Sequence, residues 1–107
     1  MAVILFAGAI PDLPDIPLHE VHILINPSKL WATIKLLSPS VMIVHENLPR
    51  PNAKKLCRDI KLNESTQHIA VIVLSEETDF SRYANVVVQR PPDAAVLLAA
   101  IHKVLPD

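Results

Sequence analysis

A chain of 107 residues has room for one hydrophobic core and one domain, not for two active modules. A formal net charge of -1, with Lys and Arg scattered along the chain, gives no case for binding nucleic acid by neutralising phosphates. Hydrophobic residues make up 50% of the chain and aromatic ones only 4%, so the core must be built from Val, Ile, Leu and Ala, a composition that suits strands covered on both faces.

The first apolar run, Ala2 to Phe6, predicts a strand. It is too short to span a membrane and lacks the basic flank and small-residue cleavage site of a secretory leader, so a cytoplasmic, non-membrane protein is expected. The run continues into Phe6-Ala7-Gly8-Ala9, which carries no carboxylate, and then into Ile10-Pro11-Asp12-Leu13-Pro14-Asp15-Ile16-Pro17. Prolines at every third position cannot occupy a helix interior, but they match the turn of a polyproline II helix. At about 3.1 Å per residue, ten residues of such a segment reach roughly 30 Å, ample to return along a short strand. Ile10, Leu13 and Ile16 would share one edge of it, with Asp12 and Asp15 on another. A structural connection is therefore expected. A ligand for proline-recognition modules is the functional counterpart, and the acidic residues stand where such ligands commonly carry a basic one.

A second strand is predicted over Val21 to Ile25. His19 and His22 lie three apart at its start and point to opposite faces, unlike the helical zinc motif with histidines four apart. Asn26-Pro27 forms a helix-starting pair before Ser28 to Leu37, where Leu30, Ile34 and Leu37 share one face and Trp31 borders it as a core residue. Val41 to His45 predicts the third strand. A helix opening near Pro51-Asn52 would turn Leu56, Ile60 and Cys57 inward and its lysines and arginine to water. The single cysteine, Cys57, excludes an internal disulfide and reads as a small packing residue.

Ala70 to Leu74 predicts the fourth strand, with His68 in the turn before it. From Glu76 to Asn85 there is space for a stub of about two helical turns of about 3.6 residues each. Val86 to Gln89 follows as the fifth strand, and Pro92-Asp93 opens a final helix that runs to Leu105. Between Ala94 and Leu105 only His102 and Lys103 are polar, so the apolar surface is wider than the stripe a surface helix needs. Val96, Ala100, Lys103 and Val104 are therefore candidate contacts for a protein partner or a second copy of the chain, through the last helix and fifth strand. Strands alternating with helices indicate a mostly parallel sheet.

The run Val41-Met42-Ile43-Val44-His45-Glu46-Asn47-Leu48-Pro49, then Leu56-Cys57-Arg58-Asp59-Ile60-Lys61, Gln67-His68-Ile69-Ala70-Val71-Ile72-Val73-Leu74-Ser75 and Arg90-Pro91 resembles the receiver domains of CheY-like response regulators in two-component signalling. The resemblance implies an α/β class domain over residues 1–107, a flavodoxin-like three-layer sandwich with a parallel sheet of strand order 2-1-3-4-5. The Pro-rich extended segment would replace the first helix, and the fourth helix would be shortened. The resemblance also implies a cis bond between Arg90 and Pro91. It is specific from Val41 to Ser75 and weakens before Asn26.

In that family the phospho-accepting aspartate lies four residues before the proline, where this chain has His45. An acidic pair that helps hold a metal ends the first strand, and the corresponding stretch here includes Ala7 and Gly8. Ser75 matches the family's hydroxyl, and Arg90-Pro91 its lysine-proline pair. Phosphotransfer needs a carboxylate nucleophile, a cation held by acidic groups, and donors on the phosphoryl oxygens. Without the carboxylates a hard cation loses its main ligands, so no metal of the family type is expected. With Gly8 as the single glycine there is no glycine-rich phosphate loop for a cofactor, and no serine nucleophile elbow. No catalytic residue and no cofactor are expected.

The resulting expectation is a phosphorylation-independent pseudo-receiver, a non-enzymatic module for protein–protein interaction in signal transduction. His45 would be a strand-end residue hydrogen-bonded to Ser75 or to backbone. Two alternatives stay open: sensing of a small anion or of pH through His45, Ser75 and Arg90, and a regulatory fragment of a longer transcription factor or kinase.

Overall fold

Strand-length runs of Val, Ile and Leu have no polar face to offer water, so the strands they form must be covered on both sides. The computed structural model describes residues 3–7, 20–24, 29–46, 53–76, 83–89 and 94–105. Among these, the elements in chain order are β1 (Val3–Ala7), β2 (Glu20–Leu24), α1 (Leu30–Leu37), β3 (Val41–His45), α2 (Ala53–Leu62), β4 (Ala70–Leu74), β5 (Val86–Val88) and α3 (Ala94–Val104). The strands form one parallel five-stranded sheet in the order β2-β1-β3-β4-β5, as expected.

The two-residue period of the strands divides the core. Leu5, Ala7, Met42, Val44, Val71 and Val73 point to one face, where they meet Leu30 and Ile34 of α1 and Leu56, Cys57 and Ile60 of α2. Ile4, Phe6, Val41, Ile43, Ala70, Ile72 and Leu74 point to the other, against Leu97, Ala100 and Ile101 of α3. Burying each large aliphatic side chain contributes about 1.5–3 kcal/mol, and the central strands β3 and β4 do so on both faces. The edge strand β2 is only partly covered, with Glu20 and Ile23 exposed and His22 Nε2 2.9 Å from Glu20 Oε2.

Several local expectations are corrected. The N-cap of α1 is Lys29, which makes no side-chain cap bond, and the expected Asn26-Pro27 start lies outside the described residues. The buried positions of this helix are Leu30 and Ile34, so its packing begins at Leu30. Trp31 is half-buried against the α1–α2 core and Cys57 is fully buried, both as expected. Lys54, Lys55 and Arg58 face water, but Lys61 does not. It is half-buried, its ammonium donates to the carbonyl of Ile69, and burial lowers its pKa. That carbonyl belongs to the turn entering β4, so the lysine joins the end of α2 to the sheet.

α1 ends at Ser38, which takes a left-handed conformation with φ 47° and donates its N–H to the Ile34 carbonyl at 2.9 Å. Such a C-terminal position ordinarily favours glycine. The start of β5 is set by Asn85, whose side-chain oxygen accepts from Val71 N–H at 2.8 Å while its own N–H donates back to Val71 O at 2.8 Å. The amide side chain thus extends the β4–β5 ladder by one step. The Pro-rich segment and the centre of the expected fourth-helix stub lie outside the described residues, whereas Tyr83 to Asn85, directly before β5, form no helix.

Candidate functional site at the carboxyl edge of the sheet

In open parallel α/β sheets the functional crevice lies outside the carboxyl ends of the strands, where the strand order reverses. Here that edge is formed by Ala7 of β1, His45 of β3, and Leu74 and Val88 of β4 and β5. Cα register places Ala7 beside Val44, His45 beside Leu74, and Leu74 beside Val88. The predicted residues Ala7, His45 and Ser75 therefore come together at one end of the central strands. Gly8, Arg90, Pro91 and the expected cis bond lie outside the described residues.

Ser75 is 1% exposed. Its N–H donates to Val88 O at 3.0 Å, and its hydroxyl donates to Glu46 Oε2. Glu46 N–H in turn donates to Leu74 O at 3.1 Å. The carboxylate of Glu46 thus joins β3 to the end of β4, and the backbone of Ser75 joins β4 to β5.

The bond from Ser75 to Glu46 is one the sequence did not lead us to expect: Ser75 was one of the two partners expected for His45, the other being backbone, and its hydroxyl donates to the Glu46 carboxylate instead. The physical reason is the alternation of the pleat. His45 continues the series Val41 and Ile43 and stands level with Leu74, on the α3 face. Ser75, the residue after β4, continues the series Val71 and Val73 on the opposite face, and Glu46, the residue after β3, continues Val44 on that same face. Counting residues on paired β3 and β4 strands would have found Glu46. The family pattern marks the acceptor position and carries no signal at its neighbour.

The expected partner-binding positions divide in the same way. Val96 is 53% exposed and Lys103 is exposed, as expected. Ala100 is 6% exposed and packs on the sheet with Leu97 and Ile101, while Val104 is half-buried against the same cluster. Ala100 is thus a core residue of the α3 layer. The outward face of α3 consists of Ala95, Val96, Ala99, His102 and Lys103. On the other side of the sheet the described residues lining an open groove are Trp31, Lys35, Asp59, Leu62, Asn63 and Glu64. Among the described residues no helix is long and apolar enough to cross a membrane.

No family model and no curated protein matches the sequence. Solved structures do match the fold over nearly the whole chain. The signal receiver domain of a DNA-binding response regulator from Colwellia psychrerythraea superimposes with a TM-score of 0.81 at 18% identity, covering 97% of this chain and 98% of that one. The chemotaxis response regulator CheY4 of Vibrio cholerae gives 0.75 at 16% identity, covering 98% and 99%. The signal receiver domain of a signal transduction histidine kinase from Syntrophus aciditrophicus gives 0.77 at 19% identity, covering 98% and 90%. At these identities the likeness speaks to architecture: the chain has the fold of a response-regulator receiver domain, with His45 and Glu46 side by side at the end of its third strand.

Proposed function

We propose that this chain is a receiver-fold module of signal transduction that acts by protein association and does not use phosphotransfer. The observation that carries the reading is the end of β3. The residue in the acceptor position is His45, and the carboxylate beside it, Glu46, accepts the hydroxyl of buried Ser75. An acceptor aspartate must be free to attack phosphorus in line and must have a cation to neutralise the developing charge. A carboxylate engaged by a buried hydroxyl is poorly placed for that attack. Anion sensing through His45, Ser75 and Arg90 draws no support from Ser75, for the same reason.

The partner surface in this reading is the outer face of α3 next to β5, with Val96 and Lys103 as its exposed contacts. Receiver domains occur among the structural neighbours in a DNA-binding regulator and in a histidine kinase, so attachment to a larger signalling protein is compatible with this role. The test has two arms. Incubation with acetyl phosphate and Mg2+ followed by intact-mass measurement should leave the chain unmodified, and a stoichiometric phosphoryl adduct would reject the proposal. Sedimentation should show association, either of the chain with itself or with a signalling protein encoded beside it, that Val96→Glu weakens.

A further inference from the structure

Among the described residues the buried polar side chains are Thr66 and Ser75, and they are satisfied in different ways. A buried hydroxyl needs an acceptor. Thr66 finds a backbone one, donating to Ile60 O at 2.8 Å across the turn after α2. Ser75 donates to an acidic side chain from the neighbouring strand, 29 positions away in sequence. A hydroxyl bonded to a carboxylate makes a charge-assisted bond, stronger than one to a neutral carbonyl.

The surrounding backbone ties this contact to three strands. Glu46 N–H bonds Leu74 O and Ser75 N–H bonds Val88 O, so the ends of β3, β4 and β5 converge on Ser75. α3 packs on β4 and β5, which places the proposed partner face on the same connected unit.

We infer that Glu46 is a built-in anion for this edge: its tethered carboxylate takes the hydrogen bond that an external oxyanion would draw from Ser75, closing the edge to small anions and linking β3 to the β4–β5 unit. Two physical effects support this. A carboxylate held on the adjacent strand competes at a high effective concentration with any dissolved ion. Its negative charge also repels a second anion from the same hydroxyl. This inference rests on the reading of the chain as a receiver-fold module without phosphotransfer. It adds how the edge is held in one state without a ligand.

The test is a titration of the isotope-labelled full chain with inorganic phosphate, following the amide resonances of Ser75 and Val88. The native chain should show no saturable shift. Glu46→Ala should show saturable shifts at both amides, and adding Ser75→Ala to that variant should abolish them. Glu46→Gln, which keeps an acceptor oxygen and removes the charge, carries the same test with smaller shifts should the alanine variant fail to fold. Saturable shifts in the native chain equal to those of the variants would overturn the inference. So would their absence in a folded Glu46→Ala or, where that variant does not fold, in Glu46→Gln. Inorganic phosphate is not a phosphoryl donor, so an adduct formed from acetyl phosphate would reject the functional proposal and leave this result standing.

Discussion

Helices α2 and α3 cover opposite faces of the same sheet with similar inward side chains, yet they present different surfaces outward. α2 buries Ala53, Leu56, Cys57 and Ile60 and turns Lys54, Lys55 and Arg58 to water. α3 buries Leu97, Ala100 and Ile101 and turns out Ala95, Val96 and Ala99 before His102 and Lys103. Inward packing follows from the need to cover the strands and is alike on both sides. The outward faces are not constrained by that need, so the apolar outer surface of α3 is the part of the comparison on which the proposed association rests.

The largest expected effects test the similarity of the inward faces. Ile60→Ala on α2 and Ile101→Ala on α3 should each destabilise the chain by about 2–5 kcal/mol in chemical denaturation, because both side chains are completely buried. A cost below about 0.5 kcal/mol for Ile101→Ala would mean that α3 is not a true covering layer.

Next is the buried thiol, which α2 carries and α3 lacks. Burial raises the pKa of Cys57 from its ordinary 9.0 to about 11. The native state keeps a proton that the unfolded chain releases. Stability from this group is therefore complete below 9.0 and is lost as pH rises to about 11, by roughly 2–3 kcal/mol. Lys61, lowered by burial from 10.5, acts in the opposite sense as pH approaches that value. Denaturation of native chain and Cys57→Ala across this range isolates the thiol, and parallel curves would exclude it as the cause.

Asn85→Ala tests the support beneath α3. It leaves Val71 N–H without the side-chain acceptor that now lies at 2.8 Å, and should cost about 1–3 kcal/mol. Amide exchange should quicken first in β5. Equal acceleration in β1 would show that the effect is global instead.

The smallest stability effects sharpen the difference between the outward faces. Val96→Glu and Lys54→Glu should each change stability by less than about 0.5 kcal/mol, since both side chains are exposed. Only the α3 substitution should weaken association in sedimentation. Equal effects of the two would remove the reason for placing the partner on α3.

Much of the architecture was legible one segment at a time. β3 and β4 coincide with the predicted Val41–His45 and Ala70–Leu74, because buried parallel strands are marked by short uninterrupted aliphatic runs. β1 includes Ala7 and β2 includes Glu20, each one residue beyond the predicted strand, and β5 ends at Val88, one residue short of it, because such ends are set by neighbouring pairings and not by composition. Lys61 escaped because a helical pattern shows which face a lysine leaves from, but not that its long stem can lie along the core and bring the ammonium to Ile69 O. Ala100 escaped because a nearly all-apolar helix does not announce which side faces the sheet.

The receiver-type strand order came only through the family resemblance, whereas aliphatic runs, prolines and spacing were enough for a mostly parallel α/β domain and for His45 at the end of its third strand. These are properties of local period and residue type, present in the chain before any contact forms. The partner of Ser75 was a different matter, because it depends on register and facing between strands distant in sequence. Pairing His45 with Leu74 sends His45 to the α3 face and brings Glu46 to the buried hydroxyl. The same long-range packing decided which side of α3 became core and left Val96, not Ala100, on the surface.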